Sequence, residues 1–276
     1  MEHLLSSWPE IVTRLKSVKG ILLLADYDGT LTPIVDRPED AILTDDMRQI
    51  LRSLSVLNNC TVGIISGRSL TDIIDRVGLI SVVYAGNHGM EIKGLSGVLY
   101  VDPEVKKAQP IIHGLYKKLV KKLGRIKGVR VEDKGFSLSI HYRLVDEGIL
   151  QKVRAIFENI VNDAQVSGVV RITHGKKVFE VRPAVDTNKG KAIKTLIDKY
   201  KKDTAIGSKR LLLIYLGDDQ TDEDGFKAIE EYGNGISIFV GAPQAQSAAR
   251  YFLNSPDEAA EFLRMLYKQV KSGFAE

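Results

Sequence analysis

Ile21-Leu22-Leu23-Leu24-Ala25-Asp26-Tyr27-Asp28-Gly29-Thr30 joins five consecutive apolar residues to a pair of carboxylates and a glycine. A short apolar run without alternation reads as a strand buried on both faces, and such strands belong to parallel sheets. Strands of open α/β sheets deliver their C-terminal residues to the ligand crevice, so the run predicts Asp26 and Asp28 at the edge of a binding site. Two carboxylates this close repel unless a cation or hydrogen-bond donors stabilise them, and Gly29 permits a tight turn that brings backbone N–H groups toward an anion.

Outward from this run the same pattern repeats. Strands are predicted at Ile21–Ala25, Thr61–Ser66, Ser81–Ala85, Leu211–Leu216 and Ile236–Val240. Helices are predicted at Asp45–Leu57, Ser69–Val77, Lys189–Tyr200 and Thr221–Glu231, with a last amphipathic one at Asp257–Val270. The alternation specifies an α/β fold with a doubly wound, Rossmann-like parallel sheet. Residues 106–183 read differently. A basic helix, Lys106–Leu123, precedes alternating segments at Val129–Glu132 and Phe136–Arg143; a helix, Glu147–Val161, is then followed by strands Val169–Thr173 and Val178–Arg182. We expect an inserted α/β domain over 106–183 within a core made of 1–105 and 184–276. Hinges are expected near Asp102–Gln109 and Pro183–Asn188, each of which contains proline.

The 276 residues, 44% hydrophobic and 27% charged, exclude disordered and fibrous architectures and suit two modest domains. No apolar stretch approaches the roughly 18 residues that cross a bilayer, and the N-terminus lacks a basic-then-apolar signal segment, so a cytoplasmic protein without a membrane partner is expected. Cys60 is the only cysteine, beside the apolar stretch Val62–Ile65; it reads as a core thiol, with no disulfide and no multi-cysteine metal site. The net charge of +4 conceals an asymmetry: Lys106–Pro183 carries 17 Lys and Arg against 7 Asp and Glu, whereas the remainder carries 22 against 28. Lys117, Lys118, Lys121 and Lys122 recur at helical spacing, as on a solvated helix face, and no recognition-helix or RNA-binding signature accompanies them. Nucleic acid is therefore not the expected partner; a small anionic substrate is.

A second acidic cluster, Gly217-Asp218-Asp219-Gln220-Thr221-Asp222-Glu223, follows the strand Leu211–Leu216. Neighbouring strands would set the two clusters face to face, and hard oxygen ligands without a His or Cys cluster select Mg²⁺. Asp218 is the expected metal ligand of this cluster; Asp222 reads mainly as a helix-start residue. Ser66-Gly67-Arg68 offers a hydroxyl, backbone N–H groups and a guanidinium to a phosphoryl group. Lys189 starts a helix, where a cation opposes the macrodipole, and that local cost points to a site role; Lys191 and Lys194 read as solvated.

The ordered set Asp26-x-Asp28-Gly29-Thr30, Ser66, Lys189 and Asp218-Asp219 resembles the haloacid dehalogenase-like phosphohydrolases, and the insert between Ser66 and Lys189 matches members with a large α/β cap of the second type. The chain is more specifically similar to the trehalose-6-phosphate phosphatases, through Asp26–Ile34, Gly86-Asn87-His88-Gly89, Glu132-Asp133-Lys134-Gly135, His141-Tyr142-Arg143 and Gly175–Pro183. This resemblance implies an Mg²⁺-dependent phosphomonoesterase. Asp26 is the implied nucleophile and Asp28 the acid/base, with Ser66 and Lys189 on the phosphoryl group and Gly67 and Arg68 on the substrate. The metal would be held by Asp26, the Asp28 carbonyl and Asp218. Glu132, Lys134, Arg143, Lys176 and Glu180 would bind sugar hydroxyls. His88 reads as a structural or substrate-lining residue. Thr187 stands where many relatives carry an aromatic residue. Sucrose, mannosylglycerate and glucosylglycerol phosphates are alternative substrates. A phosphosugar mutase and a silent sugar-phosphate sensor are the competing functions. A monomer is expected, with a trehalose-phosphate synthase as a candidate partner.

Overall fold

The computed structural model describes residues 1–97, 99–175, 177–204 and 210–273. Two compact units make up the chain, Met1–Leu99 with Thr187–Glu276, and Tyr100–Asp186. In chain order, β1 (Glu2–His3) and α1 (Trp8–Lys16) precede β2 (Gly20–Ala25), α2 (Asp45–Ser55), β3 (Cys60–Ile65), α3 (Leu70–Val77), β4 (Val83–Gly86), β5 (Glu91–Lys93) and β6 (Leu99–Val101). Next come α4 (Pro103–Leu123), β7 (Arg130–Asp133), β8 (Leu138–His141), α5 (Glu147–Val166), β9 (Val170–Gly175) and β10 (Val178–Pro183). The chain ends with α6 (Lys189–Thr204), β11 (Leu211–Gly217), α7 (Glu223–Tyr232), β12 (Gly235–Val240), β13 (Tyr251–Leu253) and α8 (Pro256–Lys271).

The large sheet runs β1-β13-β12-β11-β2-β3-β4-β5-β6. Pairing is parallel from β1 through β4 and turns antiparallel at β4–β5. Side chains alternate across each strand, so Ile21, Leu23 and Ala25 join one core with α1, α2, α3 and α8, while Leu22 and Leu24 join another with α6 and α7. Helices on both faces explain why β2, β11 and β12 are buried at every residue. From β2 the chain steps to β3 and β4 on one side, then returns to β11, β12 and β13 on the other. That reversal splits the loops beyond β2 and β11 apart and opens a crevice at their C-terminal ends.

Local chemistry fixes the helices beside this crevice. Ser69 caps α3 by accepting the Asp72 N–H at 3.2 Å, and Gly78, at φ 66°, ends it in the left-handed region that favours glycine. β4 starts two residues later and ends one residue later than the predicted Ser81–Ala85. The sequence reading leaves β1, α1, β5, β6 and β13 unassigned; four of these are strands of two or three residues, too short to show a period. No described helix is long and apolar enough to cross a membrane.

In the second unit, β7-β8-β10-β9 form an antiparallel sheet. Ile140, Phe179 and Val181 pack against Ile112, Leu115 and Leu119 of α4 and Phe157 and Val161 of α5. The alternate residues form a polar row on the opposite face, Glu132 level with Ser139, Ser139 with Glu180 and Glu180 with Thr173.

Cys60 opens β3 within the first core, and burial pushes its thiol up to about 12. The thiolate is the reactive form, so Ellman's reagent at mildly alkaline pH is expected to leave the native thiol unmodified and to titrate one thiol after denaturation. Rapid modification of the native protein would contradict this placement.

Candidate active site

Asp26 is the first residue beyond β2, and its N–H donates to the Leu216 carbonyl at 2.9 Å, which pins it to β11. The loop after it is closed on itself: Gly29 N–H donates to Thr32 O and Thr32 N–H to Tyr27 O. Asp26 is 5% exposed, and Lys189, the first residue of α6, is 2% exposed. The Lys189 ammonium lies 2.9 Å from Asp26 Oδ1 and 2.6 Å from Asp222 Oδ1. Burial opposes its charge, but Asp222 and Asp26 outweigh that cost and hold its pKa above the ordinary lysine value.

Asp222 keeps the helix-start role expected of it and adds a second: its side chain accepts the Asp219 N–H at 3.2 Å, one half of a capping box at the short 3-10 turn, Gln220–Asp222, that leads into α7. It also accepts from Lys189, from the Tyr215 hydroxyl, and from the Asp218 N–H at 3.1 Å. Four acceptor bonds fill the roughly four lone-pair sites of a carboxylate. Asp222 thus fixes the lysine and folds the Gly217–Asp222 turn so that Asp218 reaches the Asp26 loop.

There Thr30 Oγ1 donates to Asp218 Oδ1 at 3.2 Å, and the other Asp218 oxygen rests on Gly29. A Cβ at Gly29 would lie 2.0 Å from that oxygen, and the backbone φ of +90° also requires glycine. Asp26, Asp218 and Asp222 each bring a carboxylate oxygen within 4.8 Å of the others. Burial, then Asp222 and Asp219, push the Asp218 carboxyl up to about 7. Burial raises Asp26 well above the usual carboxylate range, with Lys189 pulling against it. Dense, buried, all-oxygen and short of positive charge, the cluster fits a divalent cation. With Asp222 saturated, Asp26 and Asp218 retain lone pairs for one. Asp219 turns away, accepting from the Thr221 N–H and hydroxyl at 2.8 and 2.7 Å.

Ser66 follows β3, 1% exposed, and its Oγ accepts the Arg68 N–H at 3.1 Å. Behind it stands a turn in which Asn87 and His88 adopt φ of 49° and 58°. Their N–H groups donate to Arg68 O at 2.7 Å and Ser66 O at 2.9 Å, and the His88 imidazole packs against the Gly67 backbone. Glu91, which the sequence reading missed, ties this turn down by accepting from Asn87 Nδ2 at 2.7 Å and Leu70 N–H at 3.1 Å. Arg68, read from sequence as a phosphoryl dock, is bound instead to protein acceptors: Nε to Asp28 Oδ2 at 2.7 Å, Nη2 to Asp28 Oδ1 at 2.5 Å and Pro38 O at 2.8 Å, and Nη1 to Asp72 Oδ2 at 2.8 Å.

In the second unit Glu180 sits beside Lys134 Nζ at 3.6 Å and Arg182, with Thr173 and Ser139 hydroxyls at 3.4 and 3.5 Å. Burial would raise its carboxyl, but Lys134 and Arg182 hold it below the ordinary value. Glu132 pairs with His141 at 2.9 Å; despite burial, that bond and Lys134 bring its carboxyl down to about 2. Arg143 is exposed in the turn after β8. Lys176 lies outside the described residues. The strand register thus brings Glu132 and Glu180 onto one face on either side of Ser139, and Lys134 reaches Glu180 from the end of β7.

Asp222→Ala would leave Lys189 with one carboxylate and the N–H groups of Asp218 and Asp219 without their side-chain acceptor. Breaking a buried ion pair typically costs about 3–5 kcal/mol, so urea unfolding is expected to show a loss of that order. A loss below about 1 kcal/mol, the scale of exposed ion pairs, would contradict a buried anchor.

Comparison with known proteins places this geometry. A family model described as trehalose-phosphatase matches residues 24–257. A probable trehalose-phosphate phosphatase of Oryza sativa subsp. japonica is 37% identical over 280 residues, spanning 95% of this chain and 73% of that protein. One of Arabidopsis thaliana is 36% identical, spanning 96% and 77%. Among solved structures, the C-terminal domain of C. albicans trehalose-6-phosphate phosphatase superposes with a TM-score of 0.75 at 28% identity, covering 94% of this chain and 96% of that one. A haloacid dehalogenase-like hydrolase from Bacteroides thetaiotaomicron, 15% identical with a TM-score of 0.60, shares the fold, covering 90% of this chain and 100% of its own. The chain belongs to the trehalose-phosphatase family and carries the haloacid dehalogenase-like hydrolase fold.

Proposed function

We propose that this phosphatase hydrolyses trehalose 6-phosphate to trehalose and phosphate with Mg²⁺, through an aspartyl phosphate on Asp26. The observation that carries the reading is the buried Asp26 carboxylate, held by Lys189 at 2.9 Å beside Asp218, in a chain of this family. Asp26 attacks phosphorus in line while Asp28 protonates the leaving sugar oxygen; Asp28 then takes a proton from the water that hydrolyses the acyl phosphate. Lys189 gives two of its three N–H donors to Asp26 and Asp222, and the third serves a phosphoryl oxygen. Ser66 accepts through its oxygen from Arg68 N–H and can donate its hydroxyl proton to another. Asp26, the Asp28 carbonyl and Asp218 would hold Mg²⁺, which supplies Lewis-acid polarisation of the phosphoryl group and offsets its charge.

The polar sheet face of the inserted unit supports sugar recognition. Glu180, held by Lys134, Arg182 and the hydroxyls of Thr173 and Ser139, is the centre of a polar cluster that sugar hydroxyls would join by exchanging with the two longer hydroxyl contacts, and Glu132, Lys134, Arg143 and Lys176 complete the proposed set. A trehalose-phosphate synthase, whose reaction makes this substrate, is the proposed supplier.

Phosphate release from a panel of sugar phosphates tests the reading, with trehalose 6-phosphate expected to be turned over fastest. A stronger preference for sucrose, mannosylglycerate or glucosylglycerol phosphate would replace the substrate. Recovery of the phosphate on sugar would replace hydrolysis by mutation. Chelation is expected to abolish release and Mg²⁺ to restore it better than Ca²⁺, whose looser coordination misplaces in-line attack. Asp26→Asn is expected to have no steady-state turnover, and measurable release by it would remove the nucleophile. Glu180→Ala is expected to lower kcat/KM for trehalose 6-phosphate by roughly 2 to 4 kcal/mol while p-nitrophenyl phosphate turnover changes little. An equal loss on both substrates would contradict a sugar-binding role.

A further inference from the structure

A guanidinium has five N–H donors in a rigid fork, and recognition of a phosphate by that fork needs two parallel donors unoccupied. Arg68 commits four: two to Asp28, one to Asp72 and one to the Pro38 carbonyl. The Asp72 arm is itself fixed, because Arg76 Nε donates to both Asp72 oxygens at 3.0 and 2.9 Å and Asp72 sits in the first turn of α3. Exposure separates the partners as well: the Arg68 side chain is 9% exposed and that of Asp28 is 44%. The guanidinium carbon lies over the Tyr27 ring, 5.4 Å from its centroid. The cation is walled in on the protein side, and the carboxylate it holds is the group presented outward.

We propose that Arg68 is a positioning residue for Asp28, aiming its carboxylate for proton transfer, and that it does not itself bind the phosphoryl group. The assignment rests on the acid/base reading of Asp28. The fork occupies one lone pair on each Asp28 oxygen and removes the rotation of the carboxylate about its last bond. The remaining lone pair on each oxygen stays open on the exposed side, where a leaving oxygen or a water is met. The chain Arg76–Asp72–Arg68–Asp28 therefore carries the rigidity of α3 to a side chain that lies in a loop. Lysine at 68 would supply the charge but a single contact, without the fork.

The test uses the full chain with saturating Mg²⁺ and compares Arg68→Gln, Arg68→Lys, Asp28→Asn and the double variant Arg68→Gln/Asp28→Asn. Two quantities are read: kcat on trehalose 6-phosphate and the inhibition constant of inorganic phosphate. Acid–base assistance is worth about 10² to 10⁴ in rate, so Arg68→Gln is expected to lower kcat by about tenfold to a hundredfold. The phosphate inhibition constant should stay within about threefold, as no phosphate contact is lost. The double variant should be no slower than Asp28→Asn, since residues acting through one another do not add. Arg68→Lys guards against misfolding of the glutamine variant and is expected to lose about tenfold in kcat with unchanged phosphate inhibition. A tenfold or greater weakening of phosphate inhibition, multiplicative losses in the double variant, or full activity in Arg68→Lys would each overturn the assignment while leaving Asp28 as the acid/base. Wild-type turnover by Asp28→Asn would instead overturn the acid/base reading, and the Arg68 role with it.

Discussion

The site depends on one ammonium group buried between two carboxylates. Lys189 is 2% exposed and Asp222 fully buried, and the low-dielectric surroundings that make their charges costly also make their attraction strong. The pair holds because Asp222 is fully satisfied, accepting from Lys189, Tyr215 and two backbone N–H groups, while Lys189 also reaches on to Asp26. Buried ionic groups contribute little net stability compared with an apolar core of the same shape, so their presence here is better explained by what they position. They fix three separate chain segments, the loop after β2, the start of α6 and the turn after β11, at one point.

Topology makes that convergence inevitable once the strands are in order. Because β2 and β11 are neighbours and Ala25 is level with Leu216, the residues next in line on each strand meet at the reversal of the sheet. Four acidic groups gather there, Asp26, Asp218, Asp219 and Asp222, against the ammonium of Lys189, as their mutual effects on ionisation record. Asp222 is neutralised by the lysine and Asp219 is turned into its own loop. Asp26 and Asp218 are left raised and in want of positive charge, the electrostatic condition that a divalent cation and a phosphoryl-transfer site both satisfy.

Much of this was legible in the sequence because the decisive strands are long and wholly apolar. Ile21–Ala25 and Leu211–Leu216 could be read as buried, and the residues following them as lining a crevice, without knowing any contact. Lys189 was legible through a local cost, a cation at a helix start. The side chains that hold others in place were not. Asp222 reads as a helix-start acid, and its capping bond from the Asp219 N–H agrees, but its bonds from Lys189, Tyr215 and the Asp218 N–H carry no sequence signal. Arg68 looks like an anion dock because its nearest acceptor, Asp28, lies forty residues earlier, a pairing that only the sheet creates. Glu91 and Asp72 carry no motif at all; their roles come from the backbone N–H groups and guanidinium nitrogens that the fold delivers to them.

The central claim is that this electrostatic arrangement makes Asp26 the group that bonds to phosphorus. Borohydride reduces an aspartyl phosphate to homoserine and leaves a free carboxylate untouched, so quenching the enzyme during turnover of trehalose 6-phosphate and mapping its peptides by mass reads the claim directly. The account predicts homoserine at Asp26 in the presence of substrate and Mg²⁺, and none when either is withheld. Steady turnover under the same quench with Asp26 unmodified, or with the modification on another carboxylate, would contradict it.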